Sequence, residues 1–329
     1  MILIKILYSL IVNIRNFLYD WEVLASYQSS IPIISLGNIT TGGTGKTPLA
    51  ISLAEYLNKK ISLKKNGKTL IITRGYKRAS SGQVLLKKGH TYSASYVGDE
   101  PFLMSKMCAA DILINKNRVA AVKWAEKQNI YKVIILDDGF QHRAIKRDFN
   151  ILLINPLQKM KAYPPTGDLR EPMKNIKRAD FIIYTKATPG SDLRSFCDSF
   201  SVPSVSATID FKINYNRSKK FFSGISFCGV GSPESFVEGL KKMNINIKEN
   251  VVLKDHQKYC SQSIKKIEFI LKQNKETNFF TTKKDWVKLP KEFINKYNGA
   301  YLDMALSVPK DSLNSAFWKT LRDRLYNYR

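Results

Sequence analysis

The stretch Ile31-Pro32-Ile33-Ile34-Ser35-Leu36-Gly37 reads as a buried strand, and through Asn38-Ile39-Thr40-Thr41 it runs into Gly42-Gly43-Thr44-Gly45-Lys46-Thr47, where a helical pattern begins that continues to about residue 59. Strand, glycine-rich turn and helix in this order build a cradle for phosphate. Glycines at 37, 42, 43 and 45 supply backbone angles that let successive N–H groups wrap an anion, and the amino end of the next helix favours negative charge. The strict pattern G-x-x-x-x-G-K-[ST] has glycine where this chain has Thr40, so a literal search fails while the physics survives. Thr40, Thr41, Gly42, Gly43, Thr44, Gly45, Lys46 and Thr47 are thus expected to bind ATP, Lys46 pairing with the β and γ phosphates and the Thr47 hydroxyl binding Mg2+.

Strand and helix signals alternate after this loop. Strands are predicted at 69–73, 112–114, 132–136 and 150–154, with helices at 100–108 and about 117–128 between them. Continuous apolar strands separated by helices imply a parallel sheet covered on both faces, which binds ligands at its carboxyl edge. A Pro- and Gly-containing connector spans 155–172, and a second series follows: strands at 181–184, 205–208, 227–230, 251–253 and 279–281, helices near 233–242 and 263–273, and a last helix at 311–327. The expected fold is α/β, a P-loop NTPase-type parallel sheet flanked by helices with a second, smaller α/β domain. The expected divisions are 1–25 for an amino-terminal helix, 26–152 for the P-loop core, 153–308 for the smaller domain and 309–329 for a helix returning to the core.

Asp137-Asp138 ends a hydrophobic strand, where P-loop proteins hold Mg2+ directly or through water. Transfer of a phosphoryl group to an alcohol also needs a proton acceptor. Two segments qualify, Val97-Gly98-Asp99-Glu100-Pro101 before a helix and Asp255-His256 after a strand, and either also serves as a helix cap or a satisfied polar pair. The 53 Lys and Arg against 27 Asp and Glu give a net charge of +26, which draws the chain toward polyanions. No aromatic-basic motif, zinc finger or recognition helix points to nucleic acid. The four cysteines stand far apart without metal-ligand spacing and read as reduced.

Residues 1 to 21, MILIKILYSLIVNIRNFLYDW, are mostly apolar. At 100° per residue, Lys5, Ser9, Asn13, Asn16 and Asp20 fall within roughly 80° of one another, leaving a wide greasy face broken only by Arg15. A membrane span would bury Lys5 and Arg15 at about 2.5 to 3.5 kcal/mol each, so a helix lying in the plane of a membrane is the expectation, with burial against the protein as the alternative.

Assembled, these segments closely resemble the tetraacyldisaccharide 4′-kinases, the lipid A kinases of Gram-negative bacteria. The resemblance is carried by Gly37 to Pro48, Thr73-Arg74-Gly75-Tyr76, Val97 to Pro101, Asp137-Asp138-Gly139-Phe140-Gln141-His142, Gly167-Asp168-Leu169-Arg170-Glu171-Pro172, Asp255-His256 and Thr282-Lys283-Lys284-Asp285, in family order. It implies transfer of the ATP γ-phosphate to the 4′ hydroxyl of a tetraacylated glucosamine disaccharide 1-phosphate by a monomer on the cytoplasmic face of the bacterial inner membrane, with no nucleic-acid partner. It further implies Asp99 as general base tuned by His256 across an interdomain cleft. Asp137, Asp138 and Glu171 would organise Mg2+ and the phosphates, and Arg74, Arg118, His142 and Arg170 would line the site. The chain departs from the family pattern at Asp168, where proline is usual, at Lys159 to Tyr163, and at Gln257. A membrane-associated P-loop ATPase switch of the partitioning or maturation type is the competing reading.

Overall fold

The structure is a computed structural model that describes residues 2–41, 44–64, 67–157, 162–164, 167–185, 192–255, 257, 259–308 and 312–326. Its first sheet has eight strands: β1 (Ile33–Asn38), β2 (Lys68–Thr73), β3 (Val84–Leu86), β4 (Asp111–Ile114), β5 (Tyr131–Asp137), β6 (Phe149–Ile154), β7 (Phe181–Tyr184) and β8 (Ser204–Ser206). They lie in the order β3-β4-β2-β5-β1-β6-β7-β8. Every pairing is parallel except that of β3 with β4 at the edge.

The sheet is buried on both faces because its strands are apolar at successive positions, and the two-residue period sends neighbours to opposite sides. Ile34, Leu36, Ile71, Ile112 and Ile135 join one core with Leu49 and Leu53 of the helix Lys46–Lys64 and Met104 of the helix Asp99–Met107. Ile33, Leu70, Ile72, Leu113, Ile134 and Leu136 join the opposite core with Ala121, Val122 and Ala125 of the helix Arg118–Lys127. Asn117 caps that last helix, its side chain accepting the Ala120 N–H at 3.0 Å.

Contacts divide the chain into two compact units, Met1–Ile209 with Leu306–Arg329, and Asp210–Ala305. This corrects the boundary expected at 152/153. Residues 181–184 and 204–206 pair with β6 and with each other, so they extend the first sheet and do not open a second one. The connector at 155–172 misled because it looks like an interdomain linker, yet it returns the chain to the same sheet edge.

The second unit holds a five-stranded sheet of β9 (Thr208–Tyr215), β10 (Ser223–Cys228), β11 (Asn246–Val252), β12 (Asn278–Thr282) and β13 (Asn298–Ser307), in the order β11-β10-β12-β13-β9. Phe227, Phe279, Phe293, Ile267 and Leu271 fill one side of it, and Phe236, Leu240, Phe280 and Leu302 the other. β9 escapes a search for continuous apolar runs because Thr208-Ile209-Asp210-Phe211-Lys212-Ile213 alternates, one face covered and one wet.

The carboxyl-terminal helix Ser312–Tyr326 places Phe317, Leu321 and Leu325 in the first unit's core, with the Phe317 ring 4.9 Å from that of Phe181 and 6.0 Å from that of Phe149. Phe317→Ala should therefore cost roughly 3 to 5 kcal/mol in urea unfolding. A loss below about 1 kcal/mol, the size of an exposed substitution, would show that this helix does not complete the core.

Candidate active site

The carboxyl ends of β1, β2 and β5 lie side by side in the sheet, and each delivers one motif. β1 leads to Thr40, Thr41, Thr44, Gly45, Lys46 and Thr47; Gly42 and Gly43 lie outside the described residues. Gly45 has φ +82°, a left-handed backbone that glycine adopts without penalty just before the helix Lys46–Lys64. Gly37 is required for a different reason. A Cβ there would stand 2.4 Å from the Cβ of Phe140, so only glycine lets β1 and the turn after β5 touch.

That turn concentrates the charge. Asp138 has φ +52°, and its carboxylate lies 3.5 Å from Lys46 Nζ and accepts hydrogen bonds from Arg170 Nη1 at 2.8 Å on both oxygens. Its backbone carbonyl accepts from Arg118 Nη1, also at 2.8 Å. Burial pushes the Asp138 carboxyl up, but Lys46 and Arg170 outweigh it and hold the group below the usual carboxylate range. Asp137, one residue earlier, is in the opposite position. Burial, then the neighbouring Glu100 and Asp138 carboxylates, raise it to about 6, against the partial relief of Lys46 and of the Thr73 hydroxyl donating at 2.9 Å.

Cations crowd the other side. His142 is pushed down to about 4, first by burial and then by Arg118, Arg147, Arg74 and Arg15, so it is neutral at pH 7. Arg118 is buried and Arg74 exposed. Buried polar side-chain atoms of Ser35, Asn38, Thr44 and His142 Nε2 have no partner among the described residues. Polar atoms left unpaired at buried positions cost free energy unless something polar completes them. A phosphate-bearing ligand under a cluster of cations fits that requirement.

The same region suits a hard divalent ion. The available donors, Thr47, Asp137 and Asp138, are all oxygens, and the raised carboxyl of Asp137 marks an acidic cluster short of positive charge. No group of three or more His, Cys, Asp or Glu among the described residues forms a ready metal cage. Mg2+ usually does without one, since phosphates and water complete its octahedron.

Glu171, expected to help organise Mg2+ and the phosphates, is held by side chains from three parts of the first unit. Its carboxylate is fully buried and occupied: Oε1 accepts Gln141 Nε2 at 2.8 Å, and Oε2 accepts Asn175 Nδ2 at 2.8 Å, Asn16 Nδ2 at 3.3 Å and the Arg178 guanidinium. Three of the four donors crowd Oε2, and Oε1, with one, keeps a second lone pair. Glu171 thereby ties the amino-terminal helix Ile2–Asp20 to the motif Asp137 to His142, because Asn16 belongs to that helix. Tyr8 reinforces the tie by donating to the Arg170 carbonyl at 3.0 Å, and Arg143 donates to the Asn16 carbonyl at 2.9 Å and pairs with Asp20 at 2.7 Å.

Asp99 opens the helix Asp99–Met107 directly after Gly98, whose φ of +96° sets the entry. His256 lies outside the described residues, while Asp255 belongs to the second unit. Glu100, Thr73, Gln141, Asn16 and Arg178 were missed as site residues. Glu100, Thr73 and Gln141 sit inside recognised motifs and could have been found there; Asn16 and Arg178 carry no sequence signal, being single polar residues whose partners lie far away in the chain.

The Asp137 shift has a testable sign. Its ordinary value is 3.8 and its folded value about 6, so between these the folded protein keeps a proton that the unfolded chain has released. Stability of the ligand-free protein then falls as pH rises through that window, by on the order of 2 to 3 kcal/mol once both states are ionised. Asp137→Asn should raise the urea midpoint at pH 7.5 and flatten the decline between pH 4 and 6. An unchanged midpoint would mean that the carboxyl is not strained.

Comparison with known proteins agrees with the geometry. Residues 1–323 match the family model of LpxK, the tetraacyldisaccharide-1-P 4′-kinase. A tetraacyldisaccharide 4′-kinase of Chlorobaculum parvum is 32% identical over 304 residues, covering 86% of this chain and 82% of the relative. That of Aquifex aeolicus is 33% identical over 297 residues, covering 86% and 87%. A crystal structure of LpxK from Aquifex aeolicus in complex with ATP superimposes with a TM-score of 0.76 at 28% identity, covering 99% of this chain and 98% of that one. With its phosphate loop, its acidic turn and the length of the match all in agreement, the chain belongs to the tetraacyldisaccharide-1-P 4′-kinase family, the ATP-dependent kinases that phosphorylate a lipid A precursor.

Proposed function

We infer that the acceptor is the 4′ hydroxyl of a tetraacylated glucosamine disaccharide 1-phosphate, met by a monomer at the cytoplasmic surface of the bacterial inner membrane. The observation that carries this reading is the setting of the amino-terminal helix. Its polar stripe turns inward to Glu171, Arg170 and Arg143, while Leu3, Ile6, Leu7, Leu10, Ile14, Phe17 and Trp21 are exposed, from 50% at Ile14 to 77% at Leu3. An apolar face this long on a helix fixed to the phosphate site suits a substrate that is itself embedded in lipid. No described helix is long and apolar enough to cross a membrane, which accords with in-plane attachment. The excess of basic residues adds attraction to anionic headgroups.

In this reading Lys46 and Arg170 hold the β and γ phosphates, and Arg118 keeps the turn bearing Asp138 in its left-handed form. Arg74 and neutral His142 line the approach of the transferred group. Thr47, Asp137, Asp138 and Glu171 would hold Mg2+, which when bound would neutralise charge on the phosphate oxygens. Asp99 accepts the proton of the attacking hydroxyl, with Asp255-His256 assisting it, both roles resting on family resemblance.

Asp99→Asn should lower phosphorylation of the disaccharide lipid by about 10² to 10⁴ and leave the calorimetric affinity for Mg-ATP intact; full activity would remove Asp99 as the base. Leu7→Glu with Leu10→Glu should abolish flotation with anionic vesicles and slow phosphorylation of vesicle-borne substrate without weakening ATP binding. Unaltered flotation would mean that the exposed helix face is not the membrane contact.

A further inference from the structure

Arg15 interrupts the apolar arc of the amino-terminal helix Ile2–Asp20, and a half-buried guanidinium there is costly unless oxygen acceptors meet it. Its neighbours supply little. Arg143, Arg170 and Arg178 each pair with a carboxylate, that of Asp20, Asp138 and Glu171 in turn, while Arg15 makes no ion pair among the described residues. Its Nη2 reaches the Asn16 amide oxygen at 3.4 Å, the long end for a hydrogen bond, and its buried Nε has no partner among those residues. A guanidinium presents five donors in a planar fork, and this one engages a single weak acceptor.

The helix aims Arg15 at the phosphate site. Tyr8 stands seven residues earlier, two turns back on the same flank, and its hydroxyl donates to the Arg170 carbonyl at 3.0 Å. The opposite flank, with Ile6, Leu10 and Asn13, opens on a groove shared with Tyr163. His142 gives the same direction: after burial, the charges that depress it are those of Arg118, Arg147, Arg74 and Arg15, so the helix contributes one of the cations acting on this imidazole. Ile11, one turn before Arg15, is exposed and belongs to the outward apolar face. Arg15 therefore stands at the seam between that face and the cations that line the site.

A lipid whose chains lie along the outward face brings its headgroup to this seam. We propose that Arg15 is a substrate-binding residue whose guanidinium takes oxygens of the acceptor's sugar-phosphate headgroup, an inference that rests on the reading that the acceptor is a phosphorylated glycolipid. The amino-terminal helix then selects the substrate as well as facing the membrane.

The test is steady-state phosphorylation of the disaccharide lipid in detergent micelles by the full chain, with flotation on anionic vesicles and calorimetry of Mg-ATP in parallel. Arg15→Gln should raise the KM for the lipid about 10- to 100-fold, the worth of a charge-assisted hydrogen bond, and leave the KM for ATP, the Mg-ATP affinity and the flotation unchanged. Arg15→Lys should recover part of the loss, because an ammonium keeps the charge without the fork. Should Arg15→Gln fail to fold by circular dichroism, Arg15→Lys carries the same test with a smaller rise in KM. Weakened Mg-ATP binding together with a lowered urea midpoint, as expected of Asn16→Ala, would make Arg15 a structural brace and overturn the proposal. Lost flotation at an unchanged KM for dispersed lipid would assign Arg15 to the bilayer and overturn it as well. An unchanged KM in both variants of an active enzyme removes the role of Arg15 alone, whereas a wild-type chain inactive toward the disaccharide lipid overturns the reading of the acceptor, and the proposal with it.

Discussion

Two adjacent carboxyl groups at the end of β5 meet opposite electrostatic surroundings, and the arrangement of the first unit follows from keeping them so. Burial, and then the Glu100 and Asp138 carboxylates, raise Asp137 to about 6. Asp138 looks toward Lys46 and Arg170 and stays ionised. Groups whose environments push their titration apart are a mark of sites that handle charge. The separation depends on the left-handed backbone at Asp138, and that depends on Arg118 holding its carbonyl and on Gly37 leaving room for Phe140.

The cationic side of this arrangement reaches back to the amino-terminal helix. Arg15 of that helix is one of the charges that depress His142, and Asn16 shares the Glu171 carboxylate with Gln141 of the acidic turn. The helix is therefore bound through single residues to the turn that bears Asp137 and Asp138. Of the polar stripe, Asn16 is buried and Lys5, Ser9 and Asn13 are partly covered, while most of the apolar residues face outward, Val12 excepted.

Much of this was legible in the sequence where chemistry forces a pattern. The strand, glycine loop and GKT opening could hardly build anything else, and Asp137-Asp138 gained meaning from standing after an apolar strand in the same chain. Most buried strands announced themselves by composition, although the interior strand β13 was not among those expected. β9 and β3 did not, because a strand covered on one face or placed at an edge needs no apolar run. The domain boundary failed for a related reason: residues 155–172 have the composition of a linker, and only strand pairing reveals that 181–184 continues the first sheet. Asn16 and Arg178 were out of reach altogether, since a lone polar residue says nothing of a carboxylate reached through folding.

Glu171 shows how much of a motif residue's surroundings lies beyond its sequence neighbours. Those neighbours, Arg170 and Pro172, announce none of its partners. The fold buries it completely and surrounds it with an amide from the first helix, an amide from the acidic turn, and Asn175 and Arg178 from its own segment. Buried ionic groups add little net stability compared with apolar ones of the same shape, but losing one partner leaves an uncompensated charge and is strongly destabilising. Such a hub penalises any arrangement in which helix, turn and connector are not all docked together. Helix, acidic turn and connector are thereby kept in register with the end of β1, whose Asn38 carbonyl accepts from the same Gln141.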